Sequence, residues 1–170
     1  MATVLLALTC APTTGAYASP HRIPRYYTAT IAPAAAAPGA QVTFVFRITE
    51  SPGSKGSIGS ANVRVPTGFT VVDPGTVTTF DMGGAPTGRT WSTSLDGAGT
   101  TLQLRTPNGT QRIHPTDYLE LTFQANVTCA AGSYAWKSAA RATTDFHNNG
   151  INFVIAKTQP IPRVSVATSC

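Results

Sequence analysis

Apolar and polar residues alternate along most of this chain. From Gln41 to Thr49, "QVTFVFRIT" sets Val42, Phe44, Phe46 and Ile48 on one face and Thr43, Val45, Arg47 and Thr49 on the other. From Asp117 to Val127, "DYLELTFQANV" sets Leu119, Leu121, Phe123, Ala125 and Val127 against Glu120, Thr122, Gln124 and Asn126. From Gly132 to Thr144, "GSYAWKSAARATT" alternates Tyr134, Trp136, Ser138 and Ala140 with Ala135, Lys137, Ala139 and Arg141. A period of two, carried by β-branched and aromatic residues, predicts half-buried strands. Shorter strands are predicted near Tyr26–Ile31, Ser57–Val65, Phe69–Val72, Val77–Asp81, Arg89–Leu95, Thr101–Arg105, Asn152–Lys157 and Arg163–Ala167.

Turn chemistry punctuates these runs. Pro38-Gly39, Pro52-Gly53, Pro66-Thr67-Gly68, Pro74-Gly75, Asp96-Gly97, Asn108-Gly109 and Asn149-Gly150 fall between them. Proline fixes φ and glycine allows φ > 0, as tight turns require. In "SIGSANVRVPTGFTVVD" (Ser57–Asp73) the alternation runs to Val65, stops at Pro66 and resumes with Phe69 and Val71. Proline cannot donate to a central ladder, so the stretch reads as a strand, a turn and a second strand. "LDGAGTTLQL" reads as a hairpin with its turn at Asp96-Gly97. The alanine run Ala34–Ala37 lies between Pro33 and Pro38 and reads as an extended connector. About nine to eleven short strands without helical periodicity predict an all-β fold, a sandwich of two antiparallel sheets. Phe44, Phe46, Val63, Val65, Leu119, Leu121, Phe123 and Trp136 are its expected core.

Composition narrows the setting. The chain has 170 residues, enough for one core. Charged residues make up 11% of it, well under the roughly 25% of average soluble proteins. Thr, Ser, Asn and Gln supply the polarity instead, as suits an extracellular β-protein. The net charge is +5, but the arginines stand singly and form no basic stripe, which argues against a nucleic-acid partner. Residues 1–18 read as a signal peptide. An apolar stretch from Ala2 to Ala11 precedes Ala16-Tyr17-Ala18, although no basic residue precedes the stretch. The stretch is too short to span a membrane. A first buried strand is the alternative. Residues 19–37 form an extended segment with the first strand, and 38–170 the sandwich domain. Cleavage after Ala18 would remove Cys10 and leave Cys129 and Cys170. An even cysteine count in an exported chain permits a disulfide between them. The alternative is that Cys170 pairs elsewhere.

Three segments together resemble a known family: "PGAQVTFVFRIT", "IGSANVRVPTGFTVVD" and "DYLELTFQANVTCAAGSYAWKSAA". In this order they are similar to the immunoglobulin-like modules of bacterial secreted and cell-surface proteins. There, a V-T-F/Y strand precedes an N-V-x-V-P-x-G-F segment, and a Y-x-W-like pair follows. The resemblance implies an immunoglobulin-like antiparallel β-sandwich that serves as a structural or adhesive module. Its partner would be an envelope or extracellular protein, or a glycan. Exposed edge strands would also allow self-association.

The residues with chemical potential are few. His21, His114 and His147 lie in predicted loops, and no G-x-S-x-G elbow occurs. The glutamates are Glu50 and Glu120, and Asp73, Asp81, Asp96, Asp117 and Asp145 fall at strand ends or turns, where aspartate caps backbone amides. "DFHNNG" (Asp145–Gly150) offers oxygen ligands without the spacing of a calcium loop. An isopeptide bond would need Lys137 or Lys157 beside Asn126 or Asn152 and an acid. Asn108 and Asn126 head glycosylation sequons. No cofactor is implied. The function expected is an exported, non-catalytic surface module. The first alternative is a carbohydrate-binding module that stacks sugars on Trp91, with Tyr118 as companion. The second is a secreted hydrolase.

Overall fold

The computed structural model describes residues 25–147, 152–156 and 158–170. The expected signal peptide, His21, Asn148, Asn149 and Lys157 lie outside them. The strands are β1 (Tyr26–Ala32), β2 (Ala35–Ala36), β3 (Gln41–Glu50), β4 (Ser60–Arg64), β5 (Thr70–Phe80), β6 (Ser92–Leu95), β7 (Thr101–Arg105), β8 (Tyr118–Asn126), β9 (Gly132–Ala135), β10 (Ser138–Arg141), β11 (Asn152–Ile155) and β12 (Arg163–Val166). One turn of 3₁₀ helix, Gly109–Gln111, lies between β7 and β8.

Each long alternating run forms a strand in the expected register. β3 and β8 pair antiparallel from Gln41↔Asn126 to Thr49↔Tyr118. β5 and β1 flank them, giving one layer in the order β5–β8–β3–β1. The other layer runs β11–β10–β4–β7–β6, and a parallel β1–β11 pairing joins the two along one edge. A second small sheet, β2–β12–β9, includes a parallel β2–β12 pair. The sandwich is thus mixed where the alternation suggested purely antiparallel sheets. A period of two fixes which face is buried and leaves strand direction undetermined.

All eight expected core residues are buried. Phe44 lies 5.6 Å from Phe123, 5.8 Å from Trp136 and 6.3 Å from Phe69, ring centroid to centroid. Phe69 meets Trp136 edge-on at 5.4 Å. Such stacked, tilted and edge-to-face contacts suit the ring quadrupoles and add about 0.5–1.5 kcal/mol each beyond area burial. Val164 and Val166 of β12 belong to the same core.

Two expectations need correction. The predicted strands Phe69–Val72 and Val77–Asp81 are one bulged strand, with register shifts between Val71 and Thr76 against β8. Pro74-Gly75 therefore forms a bulge within the strand. Asp73 Oδ1 accepts the Gly75 N–H at 2.8 Å, and the missing proline donor falls where the ladder is already interrupted. A Cβ on Gly75 would lie 1.7 Å from the Thr122 carbonyl oxygen, and its φ is +76°; the bulge brings the two backbones too close for any side chain. Second, the run Gly132–Thr144 is two strands in different sheets. β9 pairs with β12 and β10 with β4. The chain changes sheets at Trp136-Lys137, where the Trp136 N–H donates to Pro162 and the Lys137 carbonyl accepts from Arg64. That crossing puts Trp136 among Phe44, Phe69 and Phe123.

Candidate functional site

The outward face of β5–β8–β3 carries a hydroxyl-rich ladder with one cluster of larger side chains. Phe80 and Tyr118 pair across β5 and β8 and stack at 4.9 Å and 16°. From β3, on the other side of β8, the Arg47 guanidinium carbon lies 4.3 Å from the Tyr118 ring centroid. Arg47 also donates from Nε and Nη2 to Glu120 Oε1, at 2.9 and 2.5 Å. Tyr118 is thus half-buried and held between a ring and a cation.

Trp91 is 8% exposed, which corrects the expectation that it offers an open stacking face. Its indole Nε1–H donates to the Gln111 carbonyl at 3.0 Å, and the Gln111 side chain accepts the Thr90 N–H at 2.7 Å. The 3₁₀ turn is thereby tied to the strand entry. The sugar-binding pair of Trp91 and Tyr118 is not assembled: one ring is inside and the other is engaged by Phe80 and Arg47. Trp91→Phe is expected to cost about 1 kcal/mol for the lost hydrogen bond and to leave the emission of Trp136 alone. Chemical denaturation followed by fluorescence measures both.

The buried chemistry lies at the end of the sandwich where β3 finishes and β8 begins. The alternation that buries Phe44, Phe46 and Ile48 also turns Glu50 inward, and the one that buries Leu119 turns Asp117 inward. The Glu50 N–H donates to the Asp117 carbonyl at 3.0 Å, so the two carboxyl groups come from adjacent strand ends. Asp117 pairs with Arg89 at 2.6 Å and accepts the His114 N–H at 3.2 Å. Glu50 is fully buried. Its Oε2 accepts the Ile58 N–H at 3.2 Å, while Oε1 has no partner among the described residues. Burial pushes the Glu50 carboxyl up to about 8; the Ile58 amide and Ser54 temper the shift, and the Asp117 charge adds to it. Sequence reading missed this pair, although extending the alternation by one step at each strand end reveals both acids.

Ser57 Oγ lies 2.8 Å from His114 Nδ1. The neighbouring acid, Asp117, binds the His114 backbone amide and not its ring, so it does not orient the imidazole as a hydrolytic triad requires. Asp145 accepts the His147 N–H at 3.1 Å in an Asx turn. Phe146 lies under the guanidinium groups of Arg105 and Arg141, at 5.1 and 4.6 Å. Among the described residues no cluster of three or more potential metal ligands occurs. Lys137 and Asn126 are both exposed, and Glu120 is held by Arg47, so they form no buried isopeptide site. Cys129 and Cys170 are bridged, with Cα atoms 4.9 Å apart.

No protein-family model matches this chain, and no curated protein does. Solved structures do match. An uncharacterized Nocardia farcinica protein with an immunoglobulin-like fold superposes with a TM-score of 0.50 at 15% identity, over 84% of this chain and 99% of that one. The full-length major pilin SpaD from Corynebacterium diphtheriae superposes with a TM-score of 0.52 at 11% identity, over 78% of this chain and 33% of that one. The seventh ScaB type I cohesin from Pseudobacteroides cellulosolvens gives 0.48 at 14% identity, over 85% and 94%. At such identities the likeness is one of fold: the chain is an immunoglobulin-like β-sandwich module. No helix among the described residues is long and apolar enough to cross a membrane.

Proposed function

We propose that this chain is an exported, non-catalytic structural or adhesive module that works through protein contacts. The observation that carries this reading is where the reactive groups sit. Glu50 is sealed in the core, Asp117 and Glu120 are paired with arginines, and Asp73, Asp81, Asp96 and Asp145 each accept backbone amides of their own turns. The molecule presents a disulfide-fastened, sparsely charged, hydroxyl-rich surface. The same fold occurs in a major pilin, which is consistent with the reading.

The test is capture. The mature chain, immobilised through its N-terminus, is exposed to solubilised envelope fractions of its host. Capture of a defined protein, lost after protease treatment of the fraction and kept after periodate oxidation of its glycans, is the expected result. Periodate-sensitive capture, or turnover of a polysaccharide or peptide substrate, would overturn the reading.

A further inference from the structure

A cleft of about 700 Å³ opens at the disulfide-bearing end of the sandwich, opposite the Glu50 end. Arg64, Phe69, Thr70, Thr100, Ala135 and Lys137 contribute to its walls. They come from the end of β4, the start of β5, the β6–β7 hairpin and the β9–β10 junction.

Two features of this cleft point to an occupant. The first is charge. Arg47, Arg89, Arg105 and Arg141 bind carboxylates or carbonyls elsewhere in the fold, and Arg163 of β12 is engaged by the Ser133 carbonyl and hydroxyl of β9 at 3.3 and 3.4 Å. Arg64 and Lys137 are exposed, and their side chains make no hydrogen bond or ion pair among the described residues. Backbone pairing holds them side by side, through the Arg64 N–H to the Lys137 carbonyl at 2.8 Å. The carboxylate in the hairpin turn, Asp96, is turned away from them onto Thr100 N, Thr100 Oγ1 and Thr101 N at 2.6, 2.9 and 3.1 Å. The second feature is an open backbone edge. β9, whose Ala135 lines the cleft, pairs with β12 on one side and has no partner strand on the other among the described residues. An extended segment can add to such an edge by main-chain hydrogen bonds.

We propose that this cleft receives an extended acidic segment of a partner protein, added as a strand to β9 with its carboxylates at Arg64 and Lys137. The proposal deepens the protein-contact reading above and rests on it. A peptide fits better than a sugar, because Phe69, the aromatic residue in the cleft wall, is buried and offers no stacking face. A second copy of this chain does not fit. Its seven acidic residues are scattered, and each is already buried, paired with an arginine or capping its own turn.

The probe is an acetylated, amidated octapeptide of alternating Glu and Thr, titrated into the full chain and followed by amide chemical shifts. Saturable shifts confined to Gly132–Ala135, Arg64 and Lys137 are expected. Affinity should fall at least about tenfold, equivalent to 1.4 kcal/mol, in the double variant Arg64→Ala, Lys137→Ala. It should fall as much for the Gln-Thr peptide. Both substituted side chains are exposed, so circular dichroism and melting should match the parent. Absence of saturable binding, or equal binding of the Gln-Thr peptide, sinks the site. Shifts on the outer face of β5–β8–β3 would sink it too and leave the protein-contact reading standing. Saturable binding of tetragalacturonate in this cleft without binding of the peptide would overturn both.

Discussion

Glu50→Gln is expected to flatten the loss of stability that the parent shows between pH 5 and pH 9 and to make the protein more stable than the parent at pH 9. In the native chain Glu50 holds its proton up to about pH 8, against an ordinary value of 4.5. Between those values the folded state binds a proton that the unfolded state has released. Stability from this group is therefore complete below about pH 4.5 and declines as pH rises through about 8, with a slope approaching ~1.4 kcal/mol per pH unit. The physical cause is desolvation: an ionised carboxylate at this inward position would receive one backbone N–H and face the Asp117 charge. Glutamine keeps the shape and the acceptor for Ile58 but cannot ionise. Urea unfolding of both proteins at pH 5, 7 and 9 measures the difference. At pH 5 the two should agree to within about 1–2 kcal/mol, since each leaves one buried polar atom poorly satisfied. Parallel curves with the same slope against pH would exclude Glu50 as the group responsible. Activity is not the readout, because Glu50 is fully buried.

Replacing both cysteines of the Cys129–Cys170 bridge with serine is expected to cost about 4 kcal/mol. The bridge spans 41 residues, and closing a loop of that length removes ~13 cal/mol/K of chain entropy from the unfolded state, about 4 kcal/mol at 25 °C. For a chain of this size that lowers the melting temperature by roughly 10 °C. The enclosed segment carries β9, β10, β11 and β12, while β3 and β8 lie outside it. Loss should therefore be uneven. Amide exchange should quicken in β9 and β12, the small sheet beside the bridge, before it quickens in β3 and β8. The Cys170 N–H also donates to the Cys129 carbonyl at 3.0 Å, and the Cys170 sulfur packs 3.1 Å from where a Cβ on Gly39 would sit. Thermal unfolding of the double variant, and of the parent with and without reductant, checks the expectation. An unchanged melting temperature would show that the packing around Gly39 holds the C-terminus without the bond.

Much of the fold was legible because alternation is a local property. Val42 to Ile48 and Leu119 to Val127 each declare a buried face without reference to any other segment, and the eight residues chosen for the core are all inside. The turn at Pro66-Thr67-Gly68 was legible for the same reason, and the Phe69 N–H closes it on the Pro66 carbonyl. Pro74-Gly75 was misread because the same dipeptide serves a turn or a bulge. What decides is whether β8 continues alongside, and that is not written near residue 74. Trp91 was misjudged similarly. A tryptophan after a glycine-rich loop looks exposed until Gln111, twenty residues on, accepts its N–H.

By itself, then, the sequence determined the strand content, the buried faces and the class of fold, since each depends on residues close together in the chain. Tertiary structure decided which strands are parallel, where the chain changes sheets, and that Glu50 and Asp117 meet at one end. It also set Arg64 and Lys137 side by side at the other, without a side-chain partner among the described residues. Those facts depend on segments tens of residues apart, and it is packing that chooses among the pairings an alternating pattern permits.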